Sequence, residues 1–214
     1  MYKRQVLVRA LHVLFGILWI GLLYYFNFVQ TEYFKEAEDS ARVDAFSKLV
    51  PRALWYFRWA ALLTFLTGLV MLGYRGSAST ADIINGSLLG TLMLLNVWGI
   101  IWRNQKIVIA SNQSVAAGGE ADPAAAQAAP KAALASRTNT LFSIPMLWFM
   151  VASAHMPSGS IMANTQAIVI CCVIIAAIEV NAIYGKQYIM TTVKGVIASG
   201  LVLTVILAGI LRMF

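Results

Sequence analysis

The sequence predicts an all-α protein: a polytopic transmembrane helical bundle of about six spans, folded as a single domain over residues 1–214. Three observations carry this prediction. The chain is 60% hydrophobic and only 12% charged, whereas a soluble domain is roughly a quarter charged. Its mean hydropathy is +0.74. Apolar runs of about 20 residues recur along it, the length a helix needs to cross a hydrocarbon core roughly 30 Å thick.

The first span is expected at 6–29. It contains Leu11-His12-Val13-Leu14-Phe15-Gly16-Ile17-Leu18-Trp19, an uncharged stretch with one histidine inside it. The basic start, Lys3 and Arg4, leads into a run too long for a signal core, so it reads as an anchor and not a leader. Further spans are expected at 53–74, 82–102, 139–157, 161–184 and 190–212. The third should continue past the bilayer through Arg103-Asn104-Gln105-Lys106. Between the first two spans the charges are mixed, and Phe34, Ala37, Ala41 and Phe46 leave room for a surface amphipathic helix. Residues 112–136 are rich in Ala, Gly and Pro and read as a flexible loop. Pro145 should kink the fourth span and free a carbonyl near Leu141.

The net charge of +7 sits mostly beside apolar segments, which points to lipid headgroups and not to nucleic acid. Cys171 and Cys172, the only cysteines, are adjacent on one helix, point about 100° apart and read as apolar filling. The haem-attachment motif Cys-x-x-Cys-His, a Gly-rich phosphate loop and a zinc-peptidase motif are all absent.

Lys and Arg counts orient the bundle. Lys35, Arg42, Lys48, Arg52, Arg103, Lys106, Lys131 and Arg137 fall on the long-loop face, so that face is expected in the cytoplasm. Both termini are then expected on the periplasmic side of a bacterial inner membrane. Tyr24, Tyr25, Trp55, Trp59 and Trp102 mark the long-loop boundary.

The chemistry-bearing candidates are polar residues inside the spans, where they are costly unless they face protein, water or a metal. His12, Gly16 and Trp19 share one face of the first helix. Trp148 and His155 repeat the seven-residue relation on the fourth, which runs antiparallel. Two histidines at similar depth suit the axial ligands of a b-type haem, with Gly16 admitting the flat ring. Two other readings stay open. The histidines can bond neighbouring helices with tryptophan as packing, or they can hold copper with Met146, Met150, Met156 and Met162 as soft ligands. Near the long-loop face, Arg58, Glu179 and Lys194 are expected to form a structural ion pair, with a proton path as the rival reading. Asn96 and Asn181 are expected to bond between helices.

Three stretches resemble the membrane domain of the bacterial urate oxidase (urate hydroxylase) N-terminal family. They are Leu11–Gly21 with Tyr24-Tyr25-Phe26, then Asn96-Val97-Trp98-Gly99-Ile100-Ile101-Trp102-Arg103, and Ser136-Arg137-Thr138-Asn139 through Pro145-Met146 to His155. The first stretch is also similar to the start of a four-helix membrane protoporphyrinogen oxidase family, in which a histidine so placed is linked to haem b. Full-length members of the urate oxidase family carry more helices and a C-terminal cytochrome c domain, so this chain is expected to be a short form without that domain. The resemblance implies a membrane redox protein that binds haem b through His12 and His155 and passes electrons, for example to a separate cytochrome c. The alternative is a non-catalytic accessory subunit of a larger respiratory or oxygenase complex, docked through small lipid-facing residues such as Gly195, Ala198, Ser199 and Gly200.

Overall fold

A computed structural model describes residues 2–213. Six long helices follow one another: α1 at Lys3–Glu36, α2 at Asp39–Ala78, α3 at Ala81–Ala116, α4 at Ala125–His155, α5 at Thr165–Tyr184 and α6 at Val193–Met213. Five of them, α1, α2, α3, α5 and α6, are long and apolar enough to cross a membrane. The exception, α4, covers all but the last two residues of the expected span 139–157 and is the central helix. It packs against α1, α3, α5 and α6. A helix wrapped by protein needs no apolar girdle. Accordingly α4 buries Arg137, Thr138, Asn139, Thr140 and Ser143, which a lipid-facing helix could not do.

α1 and α2 form an antiparallel pair against this core, and α6 closes the other side. Outward faces are apolar, with Ile17, Val151, Val173 and Val205 all exposed. Inside, small residues allow close approach, the usual basis of helix association where lipid is as apolar as leucine. A Cβ on Gly86 would lie 3.2 Å from Phe149 Cβ, and one on Gly200 would lie 2.5 Å from Ile144 Cδ1. The Gly200 position corrects the docking expectation. Gly200 is buried against α4, and Ser199 spends its hydroxyl on the Gly195 carbonyl of its own helix, so only Ala198 of that set is exposed. The Leu141 carbonyl, freed of its helical donor by Pro145, sits 3.1 Å from that same Gly200 Cβ position.

The loops differ from expectation in the direction alanine dictates. Residues 112–136 are mostly helical: α3 runs on to Ala116 and α4 starts at Ala125, leaving a short turn between them. Alanine is the best helix former, so an alanine-rich stretch extends helices more readily than it breaks them. The segment between the first two spans is also helical, broken only near Ala37, where ψ is 142°. Phe34 and Phe46 meet across that bend with ring centroids 4.9 Å apart. Three π-helical turns interrupt α1 and α2 and α3, at Tyr25–Gln30, Ala45–Leu49 and Val97–Ile101.

At the opposite end, a polar clasp ties the connections together. Asp82 is fully buried and accepts from Ser158 N at 2.6 Å and Ser158 Oγ at 2.9 Å. Arg212 on α6 stands 3.9 Å from the same carboxylate and donates to the Met156 carbonyl. Thr80 caps α3 by accepting from Ile83 N.

Candidate functional site

His12 lies where α1 crosses α2. Its Nδ1 is 2.9 Å from the Thr64 carbonyl oxygen and 3.0 Å from Thr67 Oγ1. The Thr64 carbonyl can only accept, and the single Thr67 hydroxyl proton is taken by the Leu63 or the Thr64 carbonyl, so towards His12 that oxygen accepts. Both partners of Nδ1 are therefore acceptors, and the proton sits on Nδ1. The Nε2 lone pair is left free. The ring rests on Gly68, where a Cβ would come within 3.2 Å of Cε1.

The imidazole forms part of the wall of a small cleft, about 60 Å³ in volume and open on one side. Trp19, Phe65, Leu69, Met146 and Met150 line it with Gly68 and Gly90. No atom lies within 4 Å of a Cβ position on Gly90, so open space adjoins it. Trp19 is 2% exposed, and its buried Nε1 has no hydrogen-bond partner among the described residues. Gly16 adjoins the site, with its Cβ position 3.9 Å from Thr64 Cγ2.

The structure places His12 and Trp19 in one cleft with Gly16 beside it, but it does not bring His155 and Trp148 to them. Met150 faces the cleft. On an α-helix Trp148 points about 160° away from Met150, and His155 about 140° away and some 7.5 Å further along the axis. Both are exposed, Trp148 at 42%, on the outer face of α4. Of the four methionines, Met146 and Met150 line the cleft, whereas Met156 and Met162 are 50% and 89% exposed. Among the described residues, no three His, Cys, Asp or Glu side chains gather to hold a metal ion.

The expected ion pair is replaced by two separate arrangements. Glu179 Oε2 accepts from Asn96 Nδ2 at 3.1 Å, and the same amide nitrogen donates to Asn139 Oδ1 at 3.0 Å. Asn139 in turn donates to the Met93 carbonyl. Arg58 lies against tryptophan instead. Its guanidinium is 3.9 Å from the Trp102 ring centroid and 5.5 Å from that of Trp98, and Trp98 Nε1 donates to the Arg58 carbonyl. Arg stacks readily on aromatic faces and is weakly hydrated, so this cage holds the cation without a carboxylate. Lys194 is exposed. Asn181, expected between helices, binds backbone at Lys186 and closes the end of α5. Cys171 is buried and Cys172 half-buried, and both are free thiols as expected.

Thr64, Thr67, Gly68 and Asn139 were not singled out in the sequence. The available signal was two threonines and a glycine on one face of an otherwise apolar span, but only the crossing with α1 sets them against His12.

A family model described as Urate oxidase N-terminal matches residues 74–212. The match contains the stretches around Asn96–Lys106 and Ser136–His155, while His12 and its α2 partners lie before it. Searches of curated proteins and of solved structures found no match.

Proposed function

The chain belongs to the urate oxidase N-terminal family, and from that premise we propose that it is an integral membrane redox protein that holds haem b through His12. One observation supports the reading above the others. Nδ1 of His12 is committed to the Thr64 carbonyl and Thr67, which leaves Nε2 without a partner, and His12 shares a cleft with Met146 and Met150. A ligating histidine commonly anchors its second ring nitrogen on a backbone carbonyl in this way, which fixes the tautomer and raises ligand basicity.

The donor chemistry is what supports a haem: one imidazole and two thioethers line the same cleft, which would have to open to admit the ring. His12 would hold the iron, Met146 or Met150 would offer a thioether as a second donor, and Trp19 Nε1 is a buried donor without a partner in the same cleft. When bound, haem supplies a one-electron store whose potential follows ligand identity and burial. The protein's own contribution is to orient the imidazole through Thr64 and Thr67 and to exclude water with Phe65 and Leu69. The bis-imidazole arrangement is not carried forward, because His155 faces outward. The chain would sit in a bacterial inner membrane with its termini in the periplasm and exchange electrons with a separate cytochrome c or a larger membrane complex.

A second reading rests on the same cleft. One imidazole and two thioethers form a soft donor set suited to copper(I). The absorption spectrum of the purified full chain separates the two. Haem gives a Soret band that His12→Ala abolishes and His155→Ala retains. A colourless protein with stoichiometric copper supports the copper site, and a colourless, metal-free protein supports the accessory-subunit alternative.

A further inference from the structure

Between α2 and α3, at the long-loop end, two cations share one indole. The Arg58 guanidinium is 3.9 Å from the Trp102 ring centroid, and Lys106 Nζ is 5.8 Å from the same centroid. Trp59 and Trp98 meet edge to face across the two helices, with centroids 5.5 Å apart, and complete the cage. Neither cation is neutralised: among the described residues no ion pair includes Arg58 or Lys106. Arg58 Nε is buried without a hydrogen-bond partner. A ring face attracts the charge of a guanidinium but offers nothing to the N–H groups in its plane. The missing partner is an oxygen-rich anion. A phosphate suits both cations, since arginine grips it with its fork and lysine holds it as a point charge.

The surroundings say which phosphate. On α2, Arg52, Trp55, Tyr56 and Trp59 fall within about 100° of one another, and all four are exposed. On α3, Leu95, Trp98, Trp102 and Lys106 form a second stripe of similar width. Tryptophan and tyrosine gather where hydrocarbon meets headgroups, so Arg58 and Lys106 stand at headgroup depth. About two turns deeper on the same faces, Leu66 and Leu95 are exposed. A free anion would gain nothing from those leucines. A lipid would gain from both levels, its phosphate meeting the cations and its chains covering the apolar surface beneath.

We propose that this α2–α3 face is a binding site for one anionic phospholipid, whose headgroup phosphate is held by Arg58 and Lys106 and whose acyl chains lie over Leu66 and Leu95. The site is independent of the haem reading, because it shares no residue with the His12 cleft and lies towards the other end of α2.

The test is titration of the purified, delipidated full chain in detergent with dioctanoyl phosphatidylglycerol, read by calorimetry and by tryptophan fluorescence. Dioctanoyl phosphatidylcholine and inorganic phosphate are run beside it. Phosphatidylglycerol should saturate at about one lipid per chain and bind roughly tenfold tighter than phosphatidylcholine, with inorganic phosphate weaker than both. Arg58→Gln should weaken phosphatidylglycerol roughly tenfold. Lys106→Gln, at an exposed position that spares the fold, should weaken it several-fold. Lys131→Gln, exposed near the start of α4, removes the same charge elsewhere and should leave binding unchanged. No saturable binding of phosphatidylglycerol overturns the proposal and leaves the aromatic stripe to a protein neighbour. Phosphatidylcholine binding as tightly overturns the anionic preference, and inorganic phosphate binding as tightly makes this a free-anion site. Equal weakening by Lys131→Gln and Lys106→Gln reduces the effect to net charge and overturns the site. Unchanged binding in Lys106→Gln and in folded Arg58→Gln protein does the same.

Discussion

His12 and Gly68 are complementary across the α1–α2 crossing: the imidazole occupies the space a side chain on Gly68 would take, with Cε1 3.2 Å from the missing Cβ. The glycine lets the ring come flat against α2, close enough to reach the Thr64 carbonyl one turn away. The site therefore depends on a residue with no side chain as much as on the histidine. Thr64, Thr67 and Gly68 all come from one turn of one helix.

The approach of α6 to α4 makes Gly200 intolerant of a side chain. Gly200→Ala places a methyl 2.5 Å from Ile144 Cδ1 and 3.1 Å from the Leu141 carbonyl oxygen. Overpacking of this kind costs about 1–3 kcal/mol. Gly209→Ala, with no atom within 4 Å of its Cβ position, serves as the control and should be neutral or slightly stabilising. Thermal unfolding in detergent measures both. Equal melting temperatures for the two variants would mean that α6 does not pack on α4 through Gly200.

Glu179 is held by an amide and not by a cation. Glu179→Gln keeps an oxygen for Asn96 to donate to, so stability should change by less than about 1 kcal/mol. Loss of a true buried ion-pair partner costs about 3–5 kcal/mol. Asn96→Ala leaves Asn139 Oδ1 and Glu179 without their shared donor and should cost about 1–3 kcal/mol. Chemical or thermal unfolding of the two variants decides the point. A large loss in Glu179→Gln would restore the ion pair.

The basic residues on the long-loop face lead us to expect that face in the cytoplasm. Ala121 lies in the exposed turn between α3 and α4. Ala121→Cys should resist a membrane-impermeant thiol reagent in intact cells and react once the membrane is opened. Background from Cys171 and Cys172 is expected to be low, since one is buried and the other half-buried within α5. Labelling of Ala121→Cys in intact cells would reverse the assignment and place the His12 end in the cytoplasm.

Composition and apolar run length by themselves determined that this is a helical membrane protein, and they located the five helices apolar enough to cross a membrane. Both are local quantities: a helix in lipid satisfies its own backbone, so the spans follow from the residues within them. The choice of His12, Gly16 and Trp19 as one inner face was also legible, because helical periodicity along a single helix needs no partner. Which helix stands at the centre was not legible. α4 has the pattern of a modest span, and only packing on four sides shows why it tolerates Arg137, Asn139 and Thr140. The partners of the polar residues were equally hidden. Spacing placed His155 at the depth of His12 and Glu179 near Arg58. The rotation of each helix about its own axis then turned His155 outward, gave Glu179 to Asn96 and stacked Arg58 on Trp102. That rotation is set by which small residues admit which neighbours, a property of pairs of helices that no single stretch of sequence contains.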